Sequence, residues 1–238
     1  MKDLLEDIKE QLEKIKNKKI ILSLELNIGS FFLLNLLSEE FKAEIDVIIF
    51  SFMNVTSPND ISFLISQCME YGVDYIVFEA EDIASLIAHR LKPYTKIEPV
   101  PVGTIRNMVR TILLKSIALT EGKIPLIGKS LTDLVISPEP RLGGVYYPLA
   151  KYTDSQLLEA AEKVGIGRAV ADRFSKKVYE LGELRVAEVD EQIAKILSKD
   201  AGLLCEAVED SAITPCDLED MLIRNICLLN AFGWEIWR

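Results

Sequence analysis

The chain has 238 residues, 49% of them apolar and 27% charged, with 12 glycines and 9 prolines, which is enough to bury a sizeable core around one main domain with an appendage. Its formal charge of −10 speaks against a nucleic-acid partner or an anionic membrane surface, because both are held through clustered Lys and Arg. The basic run Lys14–Lys19 (KIKNKK) lies at the end of the first predicted helix, where lysines complement the helix dipole.

No apolar run reaches the roughly 18 residues of a membrane span, and the opening MKDLLE is too acidic for a signal peptide. The expectation is a soluble, cytoplasmic protein with no membrane partner. Cys68, Cys205, Cys216 and Cys227 form no CxxC pair and have no His partner at metal spacing, so four reduced, mostly buried thiols are expected. His89 is the one histidine. It falls on the exposed side of a predicted helix, which excludes a two-histidine mechanism and disfavours a Ser-His-Asp triad.

In chain order, Leu4, Leu5, Ile8, Leu12 and Ile15 recur at helical spacing, predicting an amphipathic helix over 2–17 that feeds a strand at 20–24. Helices at 30–41, 60–71 and 82–91 then alternate with strands at 45–50 and 75–78. The strands are continuous Ile, Val and Phe rather than alternating, which is the pattern of a parallel sheet buried on both faces. Pro93, Pro99 and Pro101 mark a loop before a long helix over 104–120, which stops at Gly122. A short strand at 124–127 follows, then an irregular stretch at 129–141 containing Pro138 and Pro140. Helices at 154–164 and 187–198 come next, and Thr214-Pro215 opens a last one with an N-cap and a first-turn proline.

The predicted fold is α/β, doubly wound, with a mainly parallel sheet, helices on both faces and a helical C-terminal appendage. The expected boundaries are 1–170 for the core and 171–238 for the appendage. Ligands of such sheets bind beyond the carboxyl ends of the strands, which singles out residues 24–30 and 51–58. The first of these turns, Ser23-Leu24-Glu25-Leu26-Asn27-Ile28-Gly29-Ser30, is where an α/β enzyme commonly cradles phosphate. Such a turn needs glycines so that backbone N–H groups can close on the anion, and a helix N-terminus aimed at the charge. This one has a single glycine and carries Glu25 where an anion would sit.

Four segments carry a resemblance. They are TIRNMVRTILLKSIALTEGKIPLIG over 104–128, PLAKYTDSQLLEAAEKVGI over 148–166, ELGELRVAEVD over 180–190 and GVDY over 72–75. In this order and spacing they resemble the ammonia-dependent NAD synthetase family, of the adenine nucleotide alpha-hydrolase-like fold, over nearly the whole chain. The resemblance implies a homodimer with its site near the interface, to which Phe232, Trp234 and Trp237 could add contacts. It also implies binding of ATP and magnesium, adenylation of the carboxylate of nicotinic acid adenine dinucleotide, and displacement of AMP by ammonia.

The chain departs from the family at the loop, the arginine pair, the lysine and the acidic ligand that serve this chemistry. Against the pyrophosphate loop S-G-G-x-D-S, starting at Ser23 makes the glycines Leu24 and Glu25 and the Asp Asn27. Ending at Ser30 instead makes the glycines Leu26 and Asn27 and the Asp Gly29. Of the paired arginines in the central helix, the first is Met108 and Arg110 remains; the lysine of the K-T-Q motif is Asp154. The metal-binding Glu of G-T-x-N-K/R-S-E becomes Leu134 or, one residue earlier, Asp133. A carboxylate beside a bound phosphate would add repulsion of roughly a few kcal/mol at low effective dielectric.

Three readings follow. The preferred one is a catalytically degenerate NAD-synthetase-like protein that acts as a dimeric scaffold or small-ligand binder. The second is an active ATP-dependent amide ligase with a rebuilt site, in which Lys129, Ser130 and Arg110 hold phosphate and Glu25 or Asp133 holds magnesium. The third is a nucleotide-binding regulatory protein without catalysis. Ser23, Asn27, Ser30 and Ser51 complete the candidate nucleotide contacts. ATP and magnesium are expected as cofactors only if the activity survives. The plain structural alternative is that all these segments now only maintain the fold.

Overall fold

A computed structural model describes residues 4–53, 55–92, 102–166, 170, 174, 178–179, 184–198 and 218–234. They fall into two compact units, one comprising Met1–Gly128 with Leu142–Pro148, the other Lys129–Arg141 with Leu149–Arg238. The expected boundary at 170/171 lies in a stretch, 167–177, of which only residues 170 and 174 are described.

The first unit is built on β1 (Ile20–Ser23), β2 (Ile45–Ser51), β3 (Asp74–Glu79) and β4 (Ile124–Ile127). All pairings are parallel and the order is β3-β2-β1-β4. The chain therefore steps outward from β1 to β3 and then returns to the other side of β1. That reversal creates a switch point at the carboxyl ends of β1 and β4, the place where open α/β sheets hold ligands. Beyond β4, Tyr146 adds a parallel bridge to Leu126, with Ile127 N–H donating to Tyr146 C=O at 3.0 Å.

Six of the unit's helical segments correspond to expectation, with ends shifted by a few residues. They are α1 (Leu4–Glu13), α2 (Ile28–Asn35), α3 (Pro58–Tyr71), α4 (Glu81–Leu91) and α5 (Val102–Glu121), with a wider π-type turn over Leu36–Glu40 continuing α2. The register sets Ile21, Ser23, Ile48, Phe50 and Ile127 on one face of the sheet. There Ile21, Ile48, Phe50 and Ile127 join Ala84 of α4 and Ile105, Val109, Leu114 and Ala118 of α5 in one apolar cluster. Leu22, Val47 and Ile49 point the other way, and α2 packs on β1 while α3 packs on β2 and β3.

β3 corrects the expectation that every strand is buried on both faces. It ends the sheet with β2 as its one partner, and Tyr75 and Ile76 are 37% and 58% exposed. An apolar run in the sequence cannot distinguish a central strand from one at the edge.

The second unit is helical: α6 (Leu131–Ile136), α7 (Asp154–Lys163), α8 (Val186–Leu197) and α9 (Leu218–Ala231), with a two-residue antiparallel pair β5 (Val178–Tyr179) and β6 (Leu184–Arg185). α6 packs on α7, α8 and α9. α6 lies in the stretch expected to be irregular. Its cause is a capping box: Ser130 Oγ accepts Asp133 N–H at 3.0 Å and Asp133 Oδ2 accepts Ser130 N–H at 3.4 Å. The expected helix start at Thr214-Pro215, the proline-marked loop from Pro93 to Pro101 and Trp237 lie outside the described residues.

Cys68 is a free, buried thiol whose pKa burial pushes up to about 11. Cys227 corrects the expectation of four thiols, because it is disulfide-bonded. Bridging depends on Cα separation in space, which spacing along the chain does not reveal. Cys205 and Cys216 lie outside the described residues. His89 is exposed, as expected. Among the described residues no helix is long and apolar enough to cross a membrane.

Candidate functional site

At the carboxyl end of β1 the chain leaves the sheet at Leu24, whose N–H still donates to Ile48 C=O at 2.9 Å. A tight turn follows, with Asn27 N–H donating to Glu25 C=O at 2.9 Å. Asn27, with extended φ −139° and ψ 156°, then caps α2 by accepting Ser30 N–H on Oδ1 at 2.7 Å. An asparagine oxygen thus takes one of the first-turn N–H groups that an anion would otherwise use. Ser23 and Ser30 are wholly buried, and Ser30 Oγ makes a long 3.5 Å contact to Ser23 C=O.

The turn is tight from behind as well. A Cβ at Gly128, the residue after β4, would stand 2.5 Å from Ser30 Cα and N and 2.7 Å from Gly29 C. Backbone packs on backbone there, so the first turn of α2 is fixed against the end of β4.

Glu25 faces α5. Its Oε2 accepts Arg110 Nη1 at 2.6 Å, each side chain being 14% exposed, and its Oε1 lies 3.5 Å from Ser23 Oγ. Arg110 also donates from Nη1 to Asn107 Oδ1 at 3.1 Å, and its guanidinium lies 5.5 Å from the Phe52 ring centroid. Its Nε is buried without a hydrogen-bond partner. Thus Ser23, Glu25, Asn27, Ser30 and Arg110 come together at the switch point, with the acidic side chain already on the arginine. Ser51 is buried at the end of β2, and its carbonyl accepts Ala80 N–H at 3.0 Å. The pairing register puts it on the alternate face from Phe50.

The remaining candidates lie in the second unit. Lys129 and Glu139, 5% and 2% exposed in their side chains, pair at 2.6 Å. Ser130 and Asp133 are the two halves of the α6 capping box. All three therefore have internal partners. Among the described residues, no group of three or more His, Cys, Asp and Glu stands together as a metal site would require.

Several polar residues outside the candidate contacts also shape these regions. Asp190, the last residue of ELGELRVAEVD, accepts Thr132 Oγ1 at 2.5 Å and Ser155 N–H at 2.8 Å. Thr132 Oγ1 in turn accepts Asp154 N–H at 2.9 Å. The motif aspartate therefore binds the start of α7 to α6, and buried Asp154 belongs to the same polar network. In the first unit Glu81 holds Arg106 in a two-point pair at 2.9 and 3.0 Å, which ties α4 to α5. The exposed Met108 stands between Arg106 and Arg110. Trp234 does not stand free for a contact elsewhere: it is buried, donates from Nε1 to Glu139 C=O at 2.8 Å and lies under Arg141.

This arrangement can neutralise Glu25 and Arg110 mutually. It offers no glycine cradle for a triphosphate and no cluster of carboxylates for magnesium among the described residues.

No family model matches the chain, and a search of curated proteins finds no match either. Solved structures do match. An ammonia-dependent NAD synthetase from Campylobacter jejuni, determined with nitrate ion, superposes with a TM-score of 0.62 at 15% identity, covering 95% of this chain and 91% of that one. An NMN synthetase from Francisella tularensis gives 0.59 at 9% identity, over 98% and 95%. A U34-tRNA thiolase from Methanococcus maripaludis gives 0.54 at 17% identity, over 95% and 80%. At such identities the likeness is one of architecture, and on it, with the parallel sheet and its flanking helices, the chain has the NAD-synthetase-like fold.

Proposed function

We propose that this chain is a catalytically degenerate NAD-synthetase-like protein that serves as a homodimeric scaffold or small-ligand binder rather than as a ligase. The observation that supports this reading is the Glu25–Arg110 pair at 2.6 Å. The one arginine retained from the family's helical pair is bound by a carboxylate that the phosphate turn itself supplies. An ATP phosphate at this turn would meet that carboxylate at close range and would lack the backbone N–H groups that glycines expose. The rebuilt-site alternative is disfavoured because Lys129, Ser130 and Asp133 are engaged with neighbours in the second unit.

The test is calorimetric titration with ATP–magnesium and with nicotinic acid adenine dinucleotide, separately and together. No heat beyond dilution at millimolar ligand is expected for either. Micromolar binding of both, followed by AMP release that depends on ammonia, would overturn the proposal. Micromolar binding without AMP release would establish the nucleotide-binding regulator in its place.

A further inference from the structure

At the amino end of β1, opposite the phosphate turn, the chain enters the sheet from the basic run Lys14–Lys19, and it enters β2 from the π-type turn Leu36–Glu40. Ile20 N–H donates to Glu44 C=O at 3.0 Å, which brings the two approaches together. Beside them opens a cleft of about 450 Å³, lined by Lys9, Glu13, Lys16, Asn17, Glu40 and Phe41. We propose that this cleft binds a small zwitterion, an amino acid with an apolar side chain. The proposal is independent of whether ATP binds at the carboxyl end of the strand.

The charges decide the class of ligand. Lys9 pairs with Glu40 at 2.6 Å and Lys16 with Glu13 at 2.7 Å, so two cations and two carboxylates leave the lining neutral. A bare anion would find each lysine beside a carboxylate, and a bare cation would find each carboxylate beside a lysine. A ligand carrying both charges exchanges with these pairs and leaves no charge unpaired. The paired side chains are 35–51% exposed, and pairs so placed are weak and screened by salt, so the exchange gives up little. Phe41 is the one apolar side chain of the lining, and a ring there favours an apolar or aromatic ligand body. The volume lies within the range of small-molecule sites.

The backbone beside the cleft is an independent sign. Phe41 N–H donates to Leu36 C=O at 3.0 Å, five residues back, and Ala43 N–H donates to Leu37 C=O at 3.0 Å. Wider turns of this kind are rare and recur at functional sites. Immediately after it Lys42 has φ 45°, the one non-glycine in the left-handed region among the described residues. A residue held there carries strain that the surrounding structure must impose. The widened turn sets the direction in which Glu40 and Phe41 leave the helix, and that direction puts both on the cleft with Lys9 and Lys16.

The experiment titrates L-phenylalanine into the ¹⁵N-labelled chain, with phenylacetate and phenethylamine as probes that each carry one of its two charges. Binding is read from amide chemical shifts over 9–17 and 40–42. Glu40→Gln, Lys16→Met and Phe41→Ala are titrated alongside, with folding checked by far-ultraviolet circular dichroism. L-Phenylalanine is expected to bind wild type with a Kd on the order of 1 mM, and each one-charge probe at least about tenfold more weakly. Glu40→Gln and Lys16→Met should each weaken L-phenylalanine by at least about fivefold. Both change partly exposed side chains, so they serve should Phe41→Ala fail to fold. Absence of shifts in these segments up to roughly 20 mM overturns the proposal. Equal binding by a one-charge probe does so too, as does unchanged affinity in both charge variants. A wild-type chain that bound ATP–magnesium as well as L-phenylalanine would overturn the degenerate-enzyme reading and leave this site standing, so the two failures are told apart by which ligand binds.

Discussion

Gly128 occupies the most constrained position at the site. A side chain there would bring a carbon to 2.5 Å of two Ser30 backbone atoms, closer than carbon can approach without displacement. The atoms in the way are backbone atoms of the first turn of α2, which cannot rotate aside as a flexible side chain would. Gly128→Ala should therefore destabilise the protein by about 3 kcal/mol, the upper part of the range for overpacking. Urea denaturation should show a lower midpoint with an unchanged slope, and a loss under about 0.5 kcal/mol would mean that the turn can yield. The sequence marked Gly128 by its place after a short strand, but not the approach of Ser30, which lies 98 residues earlier in the numbering of the chain. The same holds for Arg110. It was legible as a retained positive charge and Glu25 as a misplaced negative one, but their 2.6 Å pairing depends on β1 and α5 meeting across one face of the sheet.

At the scale of elements, local chemistry explains where helices begin. α3 starts at a complete capping box, with Pro58 at its first turn: Ser57 Oγ accepts Asp60 N–H at 3.2 Å, and Asp60 Oδ2 accepts Ser57 N–H at 3.2 Å. It ends on Gly72 in the left-handed region at φ 64°, where glycine avoids the Cβ penalty. Ser57→Ala should cost about 1 kcal/mol and lower the melting temperature by roughly 2–4 °C for a chain of this size. Differential scanning calorimetry checks it, and an unchanged midpoint would show that Asp60 and Pro58 suffice. α6 was legible by the same rule, since Ser130-Leu131-Thr132-Asp133 has the S-x-x-D spacing of a capping box. The prolines at 138 and 140 made the stretch read as irregular, although they lie beyond the helix, which closes at Ile136. A short helix of six residues has too little periodicity to compete with such breakers.

For the molecule as a whole, the four strands and their parallel direction, though not their order, were legible because continuous Ile, Val and Phe runs alternated with amphipathic helices. Which strand stands at the edge, and what covers it, depends on partners that a single chain's pattern cannot name. The proposed homodimer bears on that question. α5 carries Met108, Ile112 and Leu119 on one exposed row, at 39%, 52% and 71% exposure, and the adjoining α4 exposes Ile83, Leu86 and Ile87. Positions 108, 112 and 119 recur at helical spacing, so Met108, Ile112 and Leu119 share one face of α5, with Lys115 between the last two, and exposed apolar side chains gathered on one face are what an interface would cover. A two-fold contact sets the same residues of two copies against each other, so one charge introduced at the row enters twice and meets its own image. Sedimentation equilibrium of wild type should give twice the chain mass of 26.8 kDa at micromolar concentration. Ile112→Glu, a change at a half-exposed position that the monomer fold does not need, should return it to one chain mass with its circular dichroism unchanged. A wild-type chain that sediments as a monomer removes the dimer from the proposed function. A dimer that persists in Ile112→Glu moves the interface off α5 and leaves the exposed strand β3, with Tyr75 and Ile76, as the next surface to charge.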